Sequence, residues 1–378
     1  MFSLYENNLN DILPDLPDIK KLKIPNDLKY KKDDLFICVL GFEDRAKNIA
    51  QKLCDSGDYR CTESILLEYF TNRKDNEINR EATEKSLTNF SDLLTNMQCE
   101  SDDFLDSFRQ ILKRLCNNDN HIPSITFDIS SCSAKLTLEL LHIIFEFNVK
   151  LLLVYTEAAL YYPLKNQTEE ILQLIHEKGD DFYQTFGPTR GVAKIVPSRF
   201  HSGCNLDDLP NAAILFATYK PERNTTALSN IFADPPIEKY ENRIVWVIGK
   251  PHQKKDHYRI EFTKKINKIK KTSKCKTLST FYYKETLSYL DDEFDKLSKE
   301  YHVFVTALGS KMQVIGLSLF HHIHPDVTIM FITPKEYDAD KYSEGCLETW
   351  KIDFGDVIKI KILLDKVGTL ELKNLKNK

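Results

Sequence analysis

Short apolar runs alternate with amphipathic segments from residue 35 onward, and this alternation predicts the elements of the fold. Four runs have the length and composition of strands: LFICVL at 35–40, SILLEYF at 64–70, SITFDI at 124–129 and KLLLVYT at 150–156. Apolar residues spaced three and four apart between them favour helices, including a long one over 77–97. Strands that alternate with helices are typical of parallel βαβ units with both sheet faces covered.

The same pattern restarts after a region rich in Gly and Pro. AAILFAT at 212–218, HVFVTAL at 302–308 and VTIMFIT at 327–333 have the composition of buried strands. We therefore predict an α/β protein with two tandem Rossmann-like parallel-sheet domains related by internal duplication. The predicted parts are an N-terminal arm (1–34), a first domain (35–162), a connector (163–211), and a second domain (212–378) that ends in a short β hairpin formed by VIKIKILL and GTLEL.

The spacing of charged landmarks supports a duplication. Arg45 and Lys135 are 90 residues apart, and Arg223 and Lys311 are 88 residues apart. The two halves are thus offset by 178 residues at the first landmark and by 176 at the second. Two landmarks that share nearly one offset indicate a repeat more strongly than either does alone.

Composition narrows the class of protein. The 378-residue chain is 42% hydrophobic, which supports two packed domains, and its net charge of −4 argues against a generally basic nucleic-acid coat. Nine cysteines occur without a CxxC pair, which argues against a zinc ribbon and favours buried thiols in a reducing cytosol. The sequence has no GxGxxG and no Walker loop, and we expect no cofactor and no metal. Without a signal peptide or membrane-spanning run, a cytoplasmic location is expected.

Four turns lie where a predicted strand gives way to a helix, and these turns carry the candidate chemistry. Ligands of open parallel sheets bind beyond the carboxyl ends of the strands, where helix N-termini attract phosphate. Hydroxyl groups can bond a phosphate, and lysine or arginine can neutralise it. The predicted ligand-binding residues are Glu43, Arg45, Ser130, Ser131, Lys135, Glu222, Arg223, Thr306, Gly309, Ser310 and Lys311.

The stretch VTALGSKMQVIG at 305–316 resembles the motif of CRISPR-associated Rossmann-fold sensor domains. In that family, a strand ends in a hydroxyl-bearing turn with glycine and lysine that contacts a cyclic oligonucleotide. The resemblance carries over to Thr306, Gly309, Ser310 and Lys311, and in the first half to Ser130, Ser131 and Lys135, where glycine is absent. It implies a sensor or regulatory protein that binds a nucleotide or cyclic oligonucleotide between two lobes, in prokaryotic antiviral defence with a separate effector.

Other interpretations stay open at this point. The hydroxyl residues are also ordinary helix caps, and the Glu–Arg turns are also ordinary ion pairs. A nucleotide- or nucleic-acid-processing hydrolase or glycosidase would use the carboxylates Glu43, Asp44, Asp128, Glu157 and Glu222. The run HHIH at 321–324 and the pair His201 and Cys204 are weaker candidates for metal binding and for thiol chemistry.

The segment 250–276 is strongly basic, with eleven Lys or Arg residues against Asp256 and Glu261. The structural interpretation is a solvated helix face. The functional interpretation is a surface for nucleic acid or for a nuclease or ATPase partner. A non-catalytic scaffold that docks such a partner is the third candidate function. The residues predicted for this surface are Lys254, Lys255, Lys264, Lys265, Lys268 and Lys271.

Overall fold

The computed structural model describes residues 8–29, 31–118, 120–179, 189–197, 200–203, 208–232 and 237–376. The chain forms two compact units. The first unit contains Pro14–Tyr161 and Tyr342–Leu363. The second unit contains Met1–Leu13, Tyr162–Lys341 and Leu364–Lys378.

The strands and helices alternate through both units. The strands are β1 (Ile19–Lys21), β2 (Lys32–Val39), β3 (Arg60–Glu68), β4 (Ser91–Gln98), β5 (Ser124–Asp128), β6 (Lys150–Thr156), β7 (Leu160–Tyr161), β8 (Thr189–Pro197), β9 (Asn211–Phe216), β10 (Ile244–Lys250), β11 (Cys275–Ser279), β12 (His302–Thr306), β13 (Thr328–Tyr337), β14 (Ser343–Glu344) and β15 (Thr349–Asp356). The helices are α1 (Leu9–Ile12), α2 (Arg45–Ser56), α3 (Arg73–Asn76), α4 (Arg80–Phe90), α5 (Phe104–Leu115), α6 (Ala134–Ile144), α7 (Lys165–Lys178), α8 (Pro221–Ile231), α9 (Tyr258–Ile266), α10 (Tyr283–Leu297), α11 (Lys311–Ile323) and α12 (Val357–Lys376).

Each unit has one main sheet, and the two sheets share a strand order. In the first unit the order is β1-β15-β6-β5-β2-β3-β4, and in the second it is β11-β10-β9-β12-β13-β8. The five strands from β2 to β6 pair in parallel, as do the five from β9 to β13. In both units the first of the five parallel strands lies at their centre, and an antiparallel strand pairs with the fifth at one side. The prediction of two Rossmann-like α/β sheets is thereby confirmed.

The antiparallel strands correct the predicted domain boundaries. Strand β8 follows the parallel strands of the first unit in the chain, yet it pairs with β13 in the second unit. Strand β15 follows the parallel strands of the second unit, yet it pairs with β6 in the first unit. The predicted connector (163–211) therefore contains α7 and β8 of the second unit, and residues 342–363 belong to the first unit rather than to a second domain ending at 378.

The two ends of the chain also differ from the prediction. In the predicted arm, β1 extends the first sheet by pairing with β15, with Ile19 opposite Ile352. The predicted C-terminal hairpin is wrong, because Val357–Lys376 is helical. Its buried residues Val357, Ile360, Leu364 and Val367 repeat at helical spacing, although the alternation of Lys with β-branched residues resembled a strand.

The long helix expected over 77–97 ends at Phe90, and β4 begins at the next residue. Strand β4 pairs with β3 along its length, from Cys61 opposite Ser91 to Glu68 opposite Gln98. Parallel pairing with a neighbouring strand here overrides the local helix propensity.

Aromatic packing holds the core of the first unit together. Phe36, Tyr59 and Phe90 are each at most 2% exposed, and their rings meet edge to face at centroid distances of 5.1–6.2 Å. In the second unit, Ala213 and Leu215 of β9 pack with Leu228 and Ile231 of α8. Across the described part of the chain, no helix is both long enough and apolar enough to cross a bilayer.

Candidate functional site

The four predicted turns lie at the points where the strand order of each sheet reverses. In the first unit this switch point lies between β2 and β5, and in the second it lies between β9 and β12. Close contacts join the two turns of each unit. A Cβ at Gly41 would lie 3.1 Å from the Cβ of Ser131, and one at Gly309 would lie 3.0 Å from the ring of Phe216. Crevices at switch points are where open α/β sheets bind ligands.

In the first unit, the turn after β2 is filled by its own side chains. Arg45 is 3% exposed, and its Nη2 lies 2.7 Å from Oε1 of the buried Glu43. Its guanidinium also lies within 6 Å of the rings of Tyr155 and Tyr161. Burial lowers the pKa of Arg45, but the Glu43 carboxylate together with Tyr161, Tyr155 and Tyr342 outweighs burial, and the pKa lies well above its usual value. Ser343 donates a further hydrogen bond to Glu43, so both predicted ligand residues are engaged in holding the fold.

The turn after β5 is also largely engaged in structural contacts. Ser130 is fully buried, donates to Asp128 and accepts from the backbone N–H of Thr156 at 2.9 Å. Lys135 is half-exposed, and its Nζ lies 3.4 Å from Oε2 of Glu139 one helical turn on. The buried Oγ of Ser131 has no hydrogen-bond partner among the described residues.

In the second unit, the turn after β9 contains a buried ion pair. Lys220 is 2% exposed, and its Nζ lies 3.3 Å from Oε1 of Glu222. The Nη2 of Arg223 donates to the backbone carbonyl of Ile332 in β13. Arg223 therefore ties α8 to a neighbouring strand, a contact that the sequence did not predict.

The turn after β12 combines a capped helix N-terminus with a lysine. Thr306 is fully buried and accepts from the backbone N–H of Phe216 at 3.0 Å, which fixes the end of β12 against β9. Ser310 caps α11 by accepting from the N–H of Gln313 at 3.2 Å. Lys311, which is half-buried, is the first residue of the helix. The positive end of the helix dipole and the lysine charge thus lie together at the switch point.

Gln313 is a further polar residue of this turn, and it is not among the predicted ligand-binding residues. Its Oε1 accepts from the N–H of Ser310 at 2.9 Å, which completes a reciprocal capping box. Gln313 as a whole is only 2% exposed, and its side-chain Nε2 is buried without a hydrogen-bond partner in the described residues. The spacing of Ser310 and Gln313 in SKMQ is the sequence signature of a capping box, but no local signal reveals the unsatisfied amide.

Gly309 is required by close packing in the same turn. An added Cβ would lie 2.9 Å from the Cβ of Gln313 and 3.0 Å from its Oε1. Any side chain at this position would displace the Gln313 amide or the ring of Phe216.

Four of the five carboxylates that an enzyme would need accept hydrogen bonds from other residues of the first unit. Asp44 accepts from the N–H of Gly345 at 2.9 Å, and Glu157 accepts from the indole N–H of Trp350 at 2.9 Å. Glu43 and Asp128 have the partners given above. Glu222 lies 3.3 Å from Lys220, but both of its buried carboxylate oxygens lack a hydrogen-bond partner in the described residues. These contacts give none of the five carboxylates a reacting partner or a metal, and within the described residues no three His, Cys, Asp or Glu side chains cluster as metal ligands.

Packing accounts for two histidines of the run and for the buried cysteines Cys38 and Cys61. His321 meets the buried ring of His201 at a centroid distance of 4.4 Å, whereas His324 is 1% exposed and its Nε2 lies 2.7 Å from Asp291. Cys204, the predicted partner of His201, lies outside the described residues. Burial raises the pKa of Cys61 to about 12 and that of Cys38 well above its usual value, so neither thiol forms a reactive thiolate at neutral pH.

The predicted basic surface is present in part as a helix. Phe262 and Ile266 lie on the buried side of α9. The helix ends at Ile266, where the side-chain amide of Asn267 donates to the carbonyl of Thr218 at 2.7 Å and Lys268 has a positive φ of 51°. The six predicted lysines are exposed, apart from the half-buried Lys264: Lys254 and Lys255 precede the helix, Lys264 and Lys265 lie on it, and Lys268 and Lys271 follow it.

Comparison with known proteins identifies no family. No protein-family model and no curated protein matches the chain. Among solved structures, the cytoplasmic domain of a prokaryotic cation chloride cotransporter is similar over 81% of this chain and 96% of its own, with 8% sequence identity and a TM-score of 0.22. At that score the likeness carries no argument about fold or function.

Proposed function

We propose that the second unit binds a phosphate-bearing nucleotide, with a phosphate held at the N-terminus of α11. The observation that carries the proposal is the unsatisfied Nε2 of Gln313, buried in the first turn of a helix that begins at a topological switch point. A buried amide donor without a partner is costly, and an anionic oxygen would satisfy it. The helix dipole and the Lys311 charge favour the same anion.

Four predicted residues would then have distinct tasks. Lys311 neutralises the phosphate, and Ser310 fixes the first turn of the helix through the capping box. Gly309 keeps the turn close to Phe216, and Thr306 holds the end of β12 against β9. Binding is thus assigned to the turn that resembles the sensor motif.

The first unit offers a much weaker site of the same kind. Its Glu43–Arg45 pair is buried, its Ser130 is fully bonded, and its Lys135 lies near Glu139. A duplicated fold in which one copy binds ligand and the other supports structure is consistent with these contacts.

The resemblance to CRISPR-associated sensor domains supports a more specific proposal about the ligand, the biological role and the effector. A cyclic oligonucleotide is the preferred ligand, and the protein acts as a regulatory sensor in antiviral defence. Its effector is a separate protein such as a nuclease or an ATPase, for which the exposed lysines around α9 offer a docking surface or a nucleic-acid contact.

The test is calorimetric titration of the whole chain with cyclic triadenylate and with 5′-phosphorylated diadenylate (pApA). Lys311→Ala removes one charge-assisted contact, worth about 1.5–3 kcal/mol, and should weaken binding about tenfold to a hundredfold. Lys135→Ala removes the corresponding lysine of the first unit and is the matched control, for which affinity should stay close to that of the wild type. Thermal melts of both variants should show that they remain folded.

Native mass spectrometry of freshly purified protein complements the titration, because a tightly held nucleotide would add its mass. If the wild-type chain binds neither probe and carries no nucleotide, the proposal is wrong. If Lys311→Ala and Lys135→Ala lose affinity equally, binding does not depend on the turn after β12.

A further inference from the structure

The exposed aromatic ring of Tyr282 lies two residues after Thr280, which contacts the capped N-terminus of α11. The Oγ of Ser310 donates to the backbone carbonyl of Thr280 at 2.6 Å, which joins this N-terminus to the loop after β11. Two residues farther on, Tyr282 is 56% exposed. An exposed aromatic ring offers a face on which a planar group can stack.

The loop that presents Tyr282 is firmly held. The Oγ of Ser279 accepts from the N–H groups of Phe281 and Tyr282 at 3.0 and 3.1 Å. The N–H of Thr280 donates to the carbonyl of Lys250 at 2.9 Å. Tyr283, the next residue, is 1% exposed and begins α10. The exposed ring is therefore anchored on both sides by ordered backbone.

Two further rings support that of Tyr282. Phe281 is buried and meets it edge to face at a centroid distance of 5.4 Å. His252, in the loop after β10, stacks on Phe281 at 4.2 Å and meets the Tyr282 ring edge to face at 6.3 Å. Three rings from two loops thus form an aromatic platform, His252–Phe281–Tyr282, whose outermost member faces solvent.

We propose that Tyr282 stacks on a nucleobase of the ligand whose phosphate is held at the N-terminus of α11. The inference rests on the proposed function and deepens it, because a stacking ring beside a phosphate site selects a nucleotide over phosphate alone. Every base has a π-face, so such a platform tolerates different bases and leaves their identity to other contacts.

The experiment compares two probes that share a phosphate but differ in a base: pApA and ribose 5-phosphate. Both are titrated into the whole chain with Tyr282→Ala, Tyr282→Phe and Phe70→Ala. Phe70 is the matched control, because it lies in the first unit and is exposed to nearly the same extent, 55%. Loss of a stacking ring should weaken pApA binding about fivefold to a hundredfold.

The expected result is that Tyr282→Ala loses affinity for pApA while Tyr282→Phe and Phe70→Ala keep it, and that ribose 5-phosphate binds all variants equally. Unchanged pApA affinity in Tyr282→Ala would show that Tyr282 does not stack on a base, and it would not contradict the phosphate site. An equal loss for both probes would also overturn it, since the change would then act on the phosphate site. If the wild type binds neither probe, the platform and the proposed function fail together.

Discussion

Gly316 lies in the interior of α11, where glycine costs helix stability about 1 kcal/mol relative to alanine. Its missing side chain allows α10 to approach, since a Cβ would lie 2.5 Å from the carbonyl oxygen of Tyr283 and 3.0 Å from the Cβ of Thr286. Gly316→Ala should therefore destabilise the protein by about 1–3 kcal/mol in urea unfolding, despite alanine's better helix propensity. Ser318→Ala, at a half-buried position on the same helix, should change stability by less than about 0.5 kcal/mol. A gain in stability for Gly316→Ala would contradict this packing.

Individual residues show which contacts a local sequence pattern can predict and which it cannot. Arg45 does begin a helix after the first parallel strand, as the sequence predicts. Its contacts to Tyr155 and Tyr161 span 110 and 116 residues, so its burial has no local signal. Ser310 is different, because its partner Gln313 is three residues away and the capping box is visible in the sequence. The sequence therefore predicts which residue types lie at these turns. Whether their side chains are available to a ligand depends on partners that are distant in the chain.

A bidentate ion pair joins two elements of the first unit. Arg80, at the start of α4, donates through both terminal nitrogens to Glu68 at the end of β3, each at 2.9 Å. These hydrogen bonds hold the pKa of Glu68 below its usual value, although partial burial opposes them. A carboxylate with a lowered folded-state pKa stabilises the protein above its unfolded pKa of about 4.3, and this stabilisation is lost as the pH falls through the folded value.

Glu68→Gln should therefore lower the free energy of unfolding by about 1–2 kcal/mol at pH 7, and its difference from the wild type should shrink as the pH falls below about 4. Urea titrations at pH 7 and pH 3 measure both values. Glu77→Gln removes a more exposed partner of the same arginine and should cost under about 1 kcal/mol. A Glu68→Gln deficit that is equal at both pH values would assign the effect to packing rather than to charge.

At the scale of elements, the central strands of the first sheet were predictable from the sequence, whereas its edge strand β4 was not. Strands β2, β5 and β6 are continuous apolar runs, which the sequence identifies directly. Strand β4 is only partly buried and follows α4 without a break, so its local pattern resembled more helix. Elements that are defined by pairing rather than by burial give the weakest signal along the chain.

At the scale of the whole molecule, the chain connects the two units in an unexpected order. The sequence predicts two consecutive domains, and the parallel strands do occur in that order. The antiparallel strand of each unit instead follows the other unit's last parallel strand in the chain. Strand pairing across nearly 200 residues, such as Thr349 opposite Thr156, leaves no trace in local periodicity.

This connectivity makes a prediction that hydrogen exchange can check. Phe354 of β15 is 4% exposed and packs edge to face on Phe145 at 6.2 Å in the first unit. Phe354→Ala should cost about 3–5 kcal/mol by leaving a cavity, and amide exchange should accelerate in β6, the strand with which β15 pairs. Phe320→Ala, a fully buried residue of α11, is the matched control and should accelerate exchange in the second unit instead. Were Phe354→Ala to loosen β13 while β6 kept its protection, β15 would belong to the second sheet, and the consecutive order of two domains would be restored.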